Sequence, residues 1–400
     1  MKKILTYTTL FKTYPLVRQL SFVQFIVYFG AWFSNVAIYS MLVEFGASAF
    51  IISLVAAAHL IPAILQAPIS GAIIDRVKIK PLMSMLILIE IVMTTALFFI
   101  NDLSDVWLLL LIIFFRMAAS SFFFTIEMSL FPKILSGIAL QKTNEIHSII
   151  WSFTYAFGMA VSGFVVNSFG AKAAFALDLG FFILAFAYFI SIKLDIEFEK
   201  TNEKFVQMIK DGLSYLRSNK QIMHLILLHC SVGITAFDAL VTLLADFNYK
   251  YVIAVPLAIG LTNAVRAFAL MIGPFLISRF ASNKNLIWIL IAQGFAIILW
   301  AFLQFNFYFG LFAMLFVGLF TTTIWSYTYA MLQEATDQKY LGRVIAYNDM
   351  AFMISNILTT AFIGTMASFG APLWVITFVL GVAFVGVGFY SRFVTRMIDG

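Results

Sequence analysis

Of 400 residues, 62% are hydrophobic and 11% charged, with a formal net charge of +6 and a single cysteine. A soluble domain carries about 25% charged residues, and the apolar runs here repeatedly pass the ~18 residues that mark a membrane span, so a soluble globular enzyme is excluded. The positive charge falls in short loops between those runs, where it orients a chain in a bilayer and does not point to nucleic acid.

In chain order, the N-terminal segment 1–18 shows no cleavage-type pattern and leads into a full-length span, so no removable signal peptide is expected. Spans are predicted at 19–43, 48–72, 81–101, 105–132, 145–167, 171–193, 221–245, 255–279, 285–305, 308–333, 345–367 and 371–392. Among the 25 lysines and arginines, Arg116 and Arg266 fall within spans and Lys172 and Lys250 on one side. That leaves 21 on the other side, which the excess of basic residues makes cytoplasmic, together with both termini. Cys230 lies in an apolar run, so neither an internal disulfide framework nor a cysteine metal site can form within one chain.

Residues 71–81, GAIIDRVKIKP, form a basic loop between spans two and three. A charged side chain costs roughly 2.5–3.5 kcal/mol at the centre of a span, so this loop must emerge from the membrane. The longest polar interruption, 195–220, divides the chain into a six-span half at 1–194 and another at 221–400. Within it Phe205, Ile209, Leu213 and Leu216 recur at helical spacing among charged residues. That pattern suits an amphipathic helix on the inner membrane face, or a solvated helix that only joins the halves. A weak echo links the halves: GPFLISRFASNK (273–284) stands after the second span of the second half, where GAIIDRVKIKP stands in the first.

The loop GAIIDRVKIKP resembles the signature of the major facilitator superfamily: a Gly, an Asp-Arg pair, then basic residues between spans two and three. GAWFSNVAI in span one, residues 131–144 after span four, AFALDLGFF in span six and LGRVIA before span eleven are similar to its drug-efflux branch, which contains macrolide and siderophore exporters. The resemblance implies an all-α membrane protein, twelve transmembrane helices in two six-helix pseudo-repeats. It further implies a monomer in the bacterial inner membrane that works by alternating access around a cavity lined by spans one, four, seven and ten, often with proton antiport. It makes Gly71, Asp75, Arg76 and Arg343 the residues that control conformational switching, the loop packing against the start of span eleven. Two positions depart from the branch: Ala31 stands where an acid is common, and the Gly- and Pro-rich signature of span five is reduced to Gly158 and Gly163.

The presumed cavity spans carry polar stripes at about 100° per residue. Span one has Gln24, Tyr28, Asn35 and Tyr39, span four Arg116, Ser120 and Glu127, span seven Ser231, Thr235, Asp238 and Thr242, and span ten Thr322, Ser326, Tyr329 and Gln333. These stripes either face a substrate or hydrogen-bond helix to helix, as hydroxyl and amide side chains do in membrane bundles. Tyr28, Trp32, Trp325 and Tyr329 could stack on an aromatic or amphiphilic substrate.

Charges are different, because one without water, a partner or a task is too costly in hydrocarbon. Arg116 and Glu127 share a helix face but lie about 16 Å apart at roughly 1.5 Å per residue, so they cannot pair directly. Glu127 either pairs with a lysine such as Lys133 or works. With Ala31 replacing the usual acid, a proton-coupled exporter needs its carboxylate elsewhere. Asp238 is expected first, with Arg266 as its reachable counter-charge, and Glu127 second. Glu90 and Asp178 lie on spans that are usually peripheral and read as structural.

No metal site is expected: His224 and His229 point about 140° apart, and His59 and His147 are isolated. No GxxxxGK[ST] loop is present, which disfavours ATP-driven transport, and no other cofactor is expected. No acid, base and nucleophile converge as an enzyme needs. The reading is a secondary transporter, an exporter of amphiphilic or aromatic small molecules, with the bilayer as its surroundings and a proton as the candidate coupling ion. The alternative is a lysophospholipid flippase, because two cavity arginines would suit a phosphate headgroup.

Overall fold

The computed structural model describes residues 7–74, 77–194, 205–337 and 340–399. Twelve helices long and apolar enough to cross a bilayer occur among them: Pro15–Glu44, Ala49–Gln66, Ile79–Phe99, Leu103–Phe131, Ile138–Phe169, Ala171–Ser191, Lys220–Tyr249, Val255–Phe280, Leu286–Leu303, Phe307–Ala335, Leu341–Ser368 and Leu373–Ile398. Helix is the only open structure that satisfies every backbone group inside hydrocarbon, which is why sequences this apolar fold this way. With twelve crossings, both ends of the chain lie at one face, called here the terminal end; the opposite face is the far end.

The packing has a two-fold pattern. Among the first six spans, one packs on five and six, three on four and six, and two on four; among the last six, seven packs on eleven and twelve, nine on ten and twelve, and eight on ten. Adding six to each number converts one set into the other, as expected of two copies of one bundle. The sets meet where span two packs on eleven and span five on eight, a pair of contacts that the same operation exchanges. The tetrapeptide SFGA recurs at 168–171 and 368–371. Its glycines, Gly170 and Gly370, both take positive φ, +81° and +82°, a conformation that only glycine adopts without strain. The turn from span five to six is thus rebuilt from eleven to twelve.

Small residues let the two bundles touch at the far end. A Cβ on Gly163 would come within 2.7 Å of the Pro256 carbonyl, and one on Gly260 within 2.5 Å of the Met159 carbonyl. At the other interface Gly364 lies directly against Ser53 of span two. Phe99, Trp107, Phe164 and Phe312 are exposed on outward surfaces suited to lipid.

Two spans are broken. Span two consists of Ala49–Ala58 and Ile61–Ile74; Pro62 cannot donate to the preceding turn, and His59 Nδ1 lies 2.8 Å from the Val55 carbonyl. Span seven runs as Lys220–Cys230, a 3-10 turn Ser231–Thr235 and Asp238–Leu244. The continuous stripe expected there is therefore interrupted. The linker forms a helix, Phe205–Ser218, held against the last six spans: Tyr215 stacks on Tyr340 at 4.2 Å and accepts a hydrogen bond from the Asp337 amide at 3.1 Å. Gly71 lies within the helix Ile61–Ile74, whereas Asp75 and Arg76 lie outside the described residues.

The glycine contacts give a direct test. Gly260→Leu forces side-chain atoms into a backbone carbonyl at a cost of about 1–3 kcal/mol, which the bundles relieve by parting at the far end. In a Cys230→Ser background a cysteine at Ser53, 3% exposed, then reacts with a small aqueous thiol reagent many times faster than without the leucine. Equal rates contradict the far-end clasp.

Candidate functional site

The polar residues inside the first six spans gather in two groups. In one, Arg116 of span four lies between two carboxylates: its Nε donates to Glu90 of span three at 3.0 Å and its Nη2 to Asp178 of span six. Ser34 of span one donates to the same Asp178 oxygen, and the guanidinium lies 5.6 Å from the Phe182 ring. All three charges are buried: Glu90 is 3% exposed, Arg116 2% and Asp178 0%. Arg116, expected to line the cavity, is instead engaged on the side of span four that faces spans three and six. Spacing along one helix gave no means of choosing that side.

The second group lies nearer the terminal end. Gln24 of span one hydrogen-bonds Nδ1 of His147 on span five, and the rings of Tyr28 and Phe124 stand 6.2 and 5.3 Å from that imidazole. Glu127 is completely buried within electrostatic reach of Tyr28. Neither of its carboxylate oxygens has a hydrogen-bond partner among the described residues; the Lys133 side chain lies outside them. A charged carboxylate so placed is costly in hydrocarbon.

Spans seven, ten and eleven build an aromatic counterpart. Trp325 stacks on Tyr329 at 4.9 Å, and Trp325, Tyr329 and Phe352 surround His229 at 5.3–5.8 Å. The Nδ1 of His229 is fixed by Thr328 at 2.9 Å. Trp325 is 39% exposed, and Ser326 beside it is also exposed. Sequence reasoning named Trp325, Tyr329 and Ser326 but not Phe352 or the central place of His229; a histidine on a span next to paired aromatic residues was the available signal.

Between the bundles Tyr155 of span five donates to Asn263 of span eight at 3.4 Å and stacks on Trp32 at 4.4 Å. Arg266 donates to the Thr235 carbonyl at 2.6 Å and lies 5.2 Å from the Phe237 ring. The guanidinium thus satisfies a backbone carbonyl at the break in span seven. Asp238 is half-buried and forms no ion pair with Arg266 among the described residues, which corrects the expected pairing: the 3-10 turn presents a carbonyl to Arg266 in place of the carboxylate. The hydroxyls of Ser231, Thr235, Thr242 and Ser326 all bond to carbonyls of their own spans, the local alternative to lining a cavity. Asn35 is half-buried. Arg343 lies beside the linker, where a Cβ on Gly212 would meet its side chain at 3.2 Å.

Among the described residues no three His, Cys, Asp or Glu side chains group as a metal site. A groove of about 610 Å³ near Phe247, Phe302, Phe305 and Trp374 is separate from all these clusters.

The Major Facilitator Superfamily model matches residues 20–358. No curated protein sequence matches the chain significantly. Among solved structures, the nucleoside transporter NupG superposes with a TM-score of 0.76 at 13% identity, over 95% of this chain and 98% of that one. A structure from work on proton dependent oligopeptide transporters gives 0.74 at 13% identity, over 96% and 98%. A bacterial homolog of the human lysosomal transporter Spinster, inward-facing and unoccupied, gives 0.72 at 12% identity, over 95% and 96%. At such identities the likeness is one of fold.

Removing the guanidinium leaves two buried carboxylates with no counter-charge. Arg116→Leu is expected to cost on the order of 3–5 kcal/mol, read as loss of monodisperse protein and a lower melting temperature in detergent. A melting temperature equal to wild type contradicts the structural weight given to this cluster.

Proposed function

The chain belongs to the Major Facilitator Superfamily, and from that membership we propose that it is a secondary active exporter of amphiphilic or aromatic small molecules, driven by protons through alternating access. Transport across the membrane follows from the family; the class of cargo, the direction and the coupling ion are proposed. The observation that carries the cargo class is the partly open Trp325–Tyr329 stack around His229. A flat ring gains about 0.5–1.5 kcal/mol by stacking on such a surface, and a cationic ring gains more where water is excluded. A phosphate headgroup finds less support, since Arg116 is held by two carboxylates and Arg266 donates to a backbone carbonyl. The lysophospholipid flippase is accordingly the weaker reading.

Positive residues concentrate at the terminal end, which we place in the cytoplasm of a bacterial inner membrane. The far-end clasp then closes the outer side. Asp75 and Arg76, with Gly71 and Arg343, retain the switching role that the loop signature suggests. Of the two nominated coupling carboxylates, Glu127 has the stronger support: it is fully buried and lacks a hydrogen-bond partner, whereas Asp238 is half-buried. A carboxyl group that is neutral when enclosed and ionised when wetted can exchange a proton for a cationic cargo as access alternates.

Proteoliposomes tested with a small aromatic cation, a catecholate siderophore and a lysolipid, each with and without an imposed pH gradient, examine these statements together. The aromatic cation should move, and the gradient should drive it. Trp325→Ala should raise the half-saturating concentration about tenfold, equivalent to about 1.4 kcal/mol. Glu127→Gln should abolish gradient-driven movement while equal-pH exchange persists. Movement of lysolipid alone, or full gradient-driven uptake by Glu127→Gln, contradicts the reading.

A further inference from the structure

Two carboxylates and one guanidinium make an unequal set. Glu90 and Asp178 both contact Arg116, and no second cation contacts either acid among the described residues. If both acids were ionised, the cluster would hold a net negative charge within the hydrocarbon, where nothing offsets it. The two acids are not equivalent. One oxygen of Asp178 accepts from both Arg116 and Ser34, and two donors, one charged, favour the ionised form. Glu90 accepts only from Arg116 Nε. It also borders a small void of about 10 Å³ that Tyr28, Ser120 and apolar side chains line with it.

We propose that Glu90 carries one exchangeable proton, while Asp178 remains the ionised partner of Arg116. The void lies between Glu90 and Tyr28, and Tyr28 stands beside His147 of the second group. Charged and titratable groups facing Glu90 are Arg116 on span four, Asp178 on span six and, across the void, Tyr28 on span one. Span one bears on both acids: Tyr28 lines the void and Ser34 holds Asp178. It also brings Gly30 against Asp178, where an added Cβ would lie 2.9 Å from Oδ1. When span one shifts, Ser34 leaves Asp178 and Arg116 turns toward the acid that lost a donor, so the hold on the Glu90 proton changes with the position of span one. This proton site is distinct from Glu127. It deepens the proton-driven reading, yet proton occupancy is read without any substrate, so the two can fail separately.

The test is infrared spectroscopy of the full chain in lipid vesicles, in a Glu127→Gln background that removes the buried carboxyl with no hydrogen-bond partner among the described residues. At neutral pH a protonated-carboxyl C=O band should appear and shift in D2O. Glu90→Gln should remove it. Asp178→Asn should remove it as well, because a single remaining acid balances Arg116 and ionises. Glu90→Asp should move the band, and Gly30→Ala should change the pH at which it titrates. The proposal is overturned by the absence of a band before these substitutions, by a band that survives either amide substitution, or by one that sodium erases at constant pH. An unmoved band in Glu90→Asp places the proton elsewhere and overturns the assignment to Glu90, and unchanged titration in Gly30→Ala overturns the link to span one. Circular dichroism and size-exclusion profiles matching the parent qualify each variant.

Discussion

Charge inside hydrocarbon persists only where it is neutralised, and the mutual arrangement of spans one, three, four and six follows from that condition. Arg116 cannot stay on span four without an anionic partner, and the acids Glu90 and Asp178 meet it from two further spans, with Ser34 added from a fourth. The cluster therefore acts as a cross-tie through the first bundle. Arg266 solves the same problem differently. It packs on the Phe237 ring and donates to a carbonyl that the 3-10 turn in span seven presents. There the Thr235 carbonyl and the guanidinium, each costly alone, meet.

The two bundles meet closely along span five against eight and span two against eleven. Where span five meets eight and span two meets eleven, glycines lie against backbone or a serine side chain, and Tyr155 donates across to Asn263. Glycine-lined faces of this kind have few side chains to withdraw, so they suit separation as rigid faces. The aromatic group around His229 and the carboxyl of Glu127 belong to different bundles, so rocking at these faces changes the distance and the water between them. The linker helix is stacked on Tyr340 near the start of span eleven and so bears on one bundle.

The sequence made the spans legible because hydropathy reports directly on backbone that must be helical in lipid. Charge placement likewise separated the basic loops from the apolar runs. The division into matching bundles was visible only as a faint echo at 273–284, while the clearer repeat, SFGA with its two positive-φ glycines, passed unnoticed because it is four residues long. The site was less legible. Helical spacing tells which residues share a face but not what that face meets, so Arg116 was assigned to the cavity and its partners Glu90 and Asp178 to the periphery. Asp238 was aligned with Thr235 on an ideal helix that the turn Ser231–Thr235 interrupts. Gly158 and Gly163 looked like remnants of a lost motif, yet Gly158 receives the Trp32 ring and Gly163 the backbone of span eight.

Distances between paired spin labels test rocking of the two bundles most directly. In a Cys230→Ser background one pair is placed at the far end, at Lys172→Cys and Tyr251→Cys, and another at the terminal end, at Lys78→Cys and Lys284→Cys; all four positions are exposed. As pH or an added cargo shifts the population, the far-end distance should lengthen while the terminal-end distance shortens in the same proportion of molecules. A single unchanging distance at both ends under every condition, or lengthening at both ends together, would contradict two rigid bundles that alternate around a common site.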